Sequence, residues 1–198
     1  DMLLYNTVGE LSTYLSNGKT FLKTEPQPAQ QIRPEDYLLT GDFNGDNKTD
    51  ICVYNQAGSA HVYLSKGDGF TDTKAWIDGS RTEGYAPVAG DFNGDKKCDL
   101  CTISRDGLFA VYLSNGDGFE KPGLWLRDYW ARPGETLVSG DFNGDGKTDV
   151  CLCAEEGYLE MFFSTGSGFT RSGPWLGDFY IARGELITSG DFNGDKAS

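Results

Sequence analysis

Histidine is almost missing from this sequence: His61 is the single copy in 198 residues. Proton transfer near neutral pH leans on histidine more than on any other side chain, so nucleophilic Ser-His or Cys-His chemistry has little to work with. A Gly-x-Ser-x-Gly turn is missing as well. Carboxylates outside the repeated loops leave glycoside chemistry open by composition, but no pair stands out. The chain is therefore read as non-enzymatic. Long apolar runs are also missing, and none reaches the eighteen residues of a membrane-crossing helix. Bases are outnumbered, 17 against 30 acids, and the net charge is −13. No basic stripe exists to meet nucleic-acid phosphates. No stretch sustains a helical period. No paired Cys-x-x-Cys suggests zinc, and the five cysteines, an odd number, leave their disulfide state and the compartment open.

What is present is repetition. Gly140-Asp141-Phe142-Asn143-Gly144-Asp145-Gly146-Lys147-Thr148-Asp149 recurs nearly unchanged at 41–50 and 90–99, and a fourth copy starts at Gly190. Oxygen-bearing side chains fall at loop positions 1, 3, 5 and 9. They are Asp42, Asn44, Asp46 and Asp50, then Asp91, Asn93, Asp95 and Asp99, then Asp141, Asn143, Asp145 and Asp149. Odd spacing in a tight loop turns these groups toward one centre, and the glycine at position 4 permits the bend. Hard, mostly anionic oxygens suit Ca²⁺, with the position 7 carbonyls of Lys48, Lys97 and Lys147 completing the shell and their ammonium groups free to point to water. The loops are not EF-hands: Val53, Thr102 or Leu152 stands where the bidentate Glu belongs. The fourth loop is split. Asp191, Asn193 and Asp195 lie near one end, and Asp1 is in register to complete it from the other. Much of the acidity is thus assigned to metal sites.

Each unit of about 50 residues reads as four short strands. Ile51–Tyr54 follows the loop, then His61–Leu64, then a Ser-x-Gly turn, then a strand near Trp76, Trp125 or Trp175, then the first strand of the next unit. The expectation is an all-β fold, a β-propeller of four four-stranded blades in a single repeat domain, 1–198. The units are 1–41 (completed by 185–198), 42–90, 91–140 and 141–190. The Gly-Asp-Phe-Asn-Gly-Asp-x-Lys-Thr-Asp loops, followed by Tyr-Leu-Ser-Asn-Gly-Asp-Gly-Phe, resemble FG-GAP/VCBS repeats. That resemblance covers the whole chain. It implies a calcium-bearing, extracellular propeller like the head of integrin α subunits, and it names no ligand. Integrin-type propellers have seven blades, and four units are visible here. Either the last inner strand, 185–190, joins the first unit and closes a ring, or the chain is an excerpt of a longer array.

The remaining candidates lie on the longer connections. Tyr129, Trp130, Arg132, Phe179, Tyr180 and Arg183 are read as ligand-binding, because aromatics beside charged groups suit a glycan or an extracellular protein. Trp76, Trp125 and Trp175 recur in register and are read as blade core. Cys52, Cys101 and Cys151 also recur and are read as small buried thiols, with a Cys98 pairing left open. Arg33/Glu35, Arg132/Glu135 and Arg183/Glu185 recur and are read as ion pairs between blades. Asn47-Lys48-Thr49 is a glycosylation sequon. The function expected is an extracellular or cell-surface calcium-binding propeller for adhesion, recognition or assembly. Its alternatives are a self-associating structural repeat of a filament, and the accessory propeller of a secreted enzyme or toxin.

Overall fold

The computed structural model describes residues 1–5, 11–24, 32–79, 87–104, 107–127, 129, 135–154, 157–179, 187–195 and 197–198. Among them the chain is all-β, in four antiparallel sheets met in chain order. The first holds β1 (Met2–Tyr5), β2 (Leu11–Ser16) and β3 (Phe21–Lys23). The second holds β4 (Tyr37–Gly41), β5 (Asp50–Tyr54), β6 (Ala60–Ser65) and β7 (Phe70–Ile77). The third holds β8 (Val88–Gly90), β9 (Asp99–Ile103), β10 (Phe109–Tyr112) and β11 (Gly123–Leu126). The fourth holds β12 (Thr136–Gly140), β13 (Asp149–Ala154), β14 (Tyr158–Ser164) and β15 (Phe169–Gly177). Every strand pairs with its sequence neighbour, so each sheet is a meander of the propeller-blade kind.

Side-chain parity explains how the sheets stack. On β9, Cys101 and Ile103 face the fourth sheet and cluster with Val150, Leu152 and Phe162. Leu100 faces the other way and clusters with Phe43, Cys52 and Val62 of the second sheet. A strand covered on both faces is apolar throughout rather than alternating, and β5 and β9 are buried along their whole length. A third cluster, Leu11, Ile51, Val53 and Tyr63 among it, joins the first sheet to the second. All five cysteines are buried and free, so the repeated thiols are core and Cys98 is unpaired.

Among the described residues no strand pairing closes a ring. Residues 187–190 make no strand, and β1 pairs with β2 alone. Ser189 Oγ donates to Ser139 O at 2.5 Å, and Ser198 N donates to Asp141 O at 2.7 Å. Those bonds set the C-terminal segment against the fourth sheet just as Ser139 Oγ to Ala89 O and Thr148 N to Asp91 O set the fourth sheet against the third. Met2 and Leu4 on β1 remain 49% and 52% exposed.

Neighbouring units approach closely where each inner strand ends in glycine. A Cβ on Gly90 would lie 2.3 Å from Thr148 Cγ2, and one on Gly41 would lie 2.3 Å from Cys98 Sγ. Gly90→Ala is therefore expected to cost about 1–3 kcal/mol by overpacking. Urea unfolding checks this. A variant as stable as the parent would show that the units separate without cost.

Candidate functional site

The loops join each inner strand to the next, between β4 and β5, β8 and β9, and β12 and β13. Their three complete copies share one geometry. The position 1 carboxylate gathers backbone N–H groups: Asp42 Oδ1 accepts from Gly45 and Asp46, and Asp42 Oδ2 accepts from Asn47, at 2.7–3.0 Å. Asp91 and Asp141 do the same in their loops. The position 3 amide oxygens of Asn44, Asn93 and Asn143 each accept from the N–H of position 5 at 2.9 Å. Position 6 is left-handed, with φ of 64° at Asn47, 71° at Lys96 and 83° at Gly146. Glycine meets that demand without strain, and asparagine tolerates it.

Position 9 is buried and carries both ends of a latch. Asp99 Oδ2 accepts from Phe92 N at 3.1 Å, and its Oδ1 accepts from Ser114 N at 2.8 Å. Asp50 and Asp149 repeat both bonds, with Phe43 and Ser65 and with Phe142 and Ser164. Burial raises all three carboxyls, Asp99 to about 7 and Asp149 to about 6, against the pull of those N–H donors.

One expectation is overturned at position 7. The lysine ammonium groups do not point to water. Lys48 Nζ and Lys97 Nζ each lie 2.6 Å from the position 5 carboxylate, and Lys147 Nζ lies 2.8 Å from its own. The hydrogen bond to Asp46 holds Lys48 above the ordinary lysine range, and Asp50 and Asp42 add to it.

Among the described residues, no three His, Cys, Asp or Glu side chains converge on a point able to hold a metal. The hydrogen bonds account for this, because position 1 is turned to backbone N–H groups and position 5 to lysine. The donor set still fits a hard cation in chemistry. Each loop offers three carboxylates and an amide oxygen, and the ammonium is a stand-in cation drawn toward positions 1, 5 and 9. Both parts of the fourth loop keep the local bonds of their positions. Asp1 Oδ1 accepts from Ser16 N at 2.7 Å, as position 9 should. Asp191 Oδ1 accepts from Gly194 and Asp195, and Asn193 Oδ1 from Asp195, as positions 1 and 3 should. Asp1 lines a cavity with Asn47, Lys48 and Thr49 of the neighbouring loop, and Ser198 N, at position 8, donates to Asp141 O. Phe192 is 86% exposed where Phe43 and Phe92 are fully buried.

Lateral bonds between loops were missed by sequence reasoning. Cys98 N donates to Asp42 O and Thr148 N to Asp91 O, each at 2.7 Å, linking position 8 of one loop to position 1 of the loop before. Ser114 Oγ donates to Phe43 O at 2.6 Å, and Ser164 Oγ to Phe92 O at 2.5 Å. The signal was available: a serine opens the turn at 16, 65, 114 and 164.

The aromatic candidates divide. Tyr129 is 6% exposed, packs on Phe109 and Phe162, and donates its hydroxyl toward Glu135. It is core, because the stacked third and fourth sheets need a ring there, and it is corrected as a ligand residue. Phe179 is half-buried and anchored through its N–H to Gly157 O. Trp130, Arg132, Tyr180 and Arg183 lie outside the described residues. Trp76 and Trp125 pack on the cores. Trp175 does not: it is 54% exposed and leans on Phe163. Asn47 is exposed, as its sequon requires.

A cleft of about 260 Å³ lies on the second sheet, where β5–β7 meet the segment leading into β4. Asp36, Asn55, Ser59, His61 and Tyr63 give it polar and aromatic walls, and Ile32 and Val53 an apolar one. His61 stacks on Tyr63, and its Nε2 is hydrogen-bonded to Asp72.

The FG-GAP-like repeat model matches residues 42–102, 91–152 and 141–197. The chain belongs to the FG-GAP-like repeat family. Among solved structures, this FG-GAP chain is similar to a lectin of Agrocybe aegerita described for its recognition of non-reducing terminal N-acetylglucosamine. The match has a TM-score of 0.69 and 21% identity, over 88% of this chain and 48% of the lectin. It is also similar to a chain of the Photorhabdus luminescens Tc holotoxin pore, with a TM-score of 0.50 and 17% identity, over 92% of this chain and 9% of that one. At such identities the likeness establishes the fold. The FG-GAP chain spans about half the length of the lectin. Among curated proteins none matches its sequence. No described helix is long and apolar enough to cross a membrane.

Proposed function

We propose that this chain is an extracellular recognition propeller that binds a glycan in the cleft on its second sheet, with calcium bracing its loops. The cleft carries the reading. Aromatic faces stack on the apolar side of a sugar ring, and carboxylate, amide and imidazole groups meet its hydroxyls. Asp36, Asn55, His61 and Tyr63 supply those groups within about 260 Å³. The likeness to a lectin guides the choice of probe, a glycan ending in N-acetylglucosamine. When bound, calcium would supply charge neutralisation to positions 1, 3, 5 and 9 of each loop, and the chain's own part is to orient those oxygens.

The test is a glycan array followed by calorimetry. Saturable binding is expected, weakened at least tenfold in His61→Ala and Asp36→Ala. Binding untouched by both changes would remove the cleft from consideration. A second reading, the accessory propeller of a larger secreted protein, is favoured by the holtoxin likeness. A catalytic or toxic domain in the same polypeptide would support it.

A further inference from the structure

Three sulfur atoms share one face of the fourth sheet and take no part in the loops or the cleft. Cys151 and Cys153 are two apart on β13, so both project away from the third sheet. Met161 on β14 is the direct cross-strand partner of Cys151. Opposed side chains of this kind lie about 4.5–5.5 Å apart at Cβ. All three are buried in one cluster, with the apolar Val138, Leu159 and Ile187 against it. The other units lack the arrangement. Tyr54 and Ile103 stand where Cys153 does, and Val62 and Val111 stand where Met161 does.

Both thiols are buried and free. A disulfide does not suit the pair. Alternate residues of a strand are about 6.6 Å apart at Cα with parallel Cβ directions, whereas a disulfide wants Cβ atoms about 3.8 Å apart. A metal ion bridging two sulfurs at about 2.3 Å each spans a wider gap than an S–S bond does.

We propose that Cys151, Cys153 and Met161 form a buried site for one soft monovalent metal ion of the Cu(I) class. Thiolate and thioether ligands select such ions. Binding one Cu⁺ displaces both thiol protons to solvent, leaves one net negative charge, and changes no oxidation state. The apolar surroundings exclude hard cations, which would lose water and gain no oxygen ligand. Zinc would want a fourth donor, and the cluster offers three.

The test is an anaerobic Cu(I) titration of the calcium-loaded, fully reduced chain against a chromophoric copper chelator. One equivalent is expected to transfer, with a new ultraviolet thiolate-to-metal band. Cys151→Ser/Cys153→Ser should lose the band and the transfer. Met161→Leu, close in volume, should keep the stoichiometry and bind at least tenfold more weakly. Cys52→Ser/Cys101→Ser should bind as the parent does. Circular dichroism confirms that each variant folds. Transfer that survives loss of both Cys151 and Cys153, or no transfer to the parent, overturns the site. An unchanged affinity in Met161→Leu overturns the three-sulfur assignment.

Discussion

Replacing Asp99 with alanine is expected to cost about 2–5 kcal/mol, because two buried backbone N–H groups lose their acceptor at about 1–3 kcal/mol each. Those groups belong to Phe92 and Ser114, the two ends of the latch around Phe92. In a chain of this size the melting temperature should fall by about 5–15 °C. Asp95→Ala is the contrast. Its carboxylate is exposed and pairs with the Lys97 ammonium, a surface pair worth about 0–1 kcal/mol. Melting curves of both variants in chelator separate the roles. Equal losses would mean that position 9 is no more structural than position 5.

The same residue sets a pH dependence. Asp99 keeps its proton up to about pH 7 in the folded chain and Asp149 up to about 6, against an ordinary value of 3.8. Between about pH 4 and 7 the folded state therefore binds more protons than the unfolded one. Where that holds, stability falls as pH rises. The metal-free protein should be at full strength near pH 4, as far as these groups decide, and weaken through pH 6–7. Asp99→Asn/Asp149→Asn should flatten the slope. Stability that climbs across this window in chelator would refute the assignment.

Much of this was legible because the repeat states the same constraint three times. Asp at loop positions 1, 5 and 9, Asn at position 3 and Gly at position 4 leave one compact loop as the solution, and the flanking apolar runs place it between strands. Parity did the rest: Ile51 and Val53 face one neighbour, Cys52 the other. What the pattern does not encode is contact between units. Tyr129 reads as an exposed aromatic on a connection, yet stacking of the third and fourth sheets buries it. Trp175 shares its register with Trp76 and Trp125, yet leans on Phe163 at a rim that no described residue covers. His61 reads as an ordinary strand residue, and becomes a cleft wall because the segment carrying Ile32 and Asp36 lies beside its sheet. Position 7 misled for a different reason. Lysine was given its backbone carbonyl as ligand and its ammonium to water, while its flexible stem lets the ammonium reach the neighbouring carboxylate.

That lysine bears on the largest effect expected, the response to calcium. At a hundredfold excess over Kd, a site present only in the folded chain stabilises it by about 2.7 kcal/mol. One occupied loop should then raise the melting temperature by about 5–10 °C, and three should raise it further. Binding requires Lys48, Lys97 and Lys147 to yield positions 5 to the metal, so part of the gain is spent on displacing an ion pair already in place. Lys→Met at all three positions should therefore lower stability slightly in chelator and tighten calcium binding several-fold. Calorimetry with Ca²⁺ and melting curves in chelator read the two effects separately. A melting temperature indifferent to calcium in both the parent and the triple variant would leave the loops as hydrogen-bonded turns, with the position 9 latch as their whole purpose.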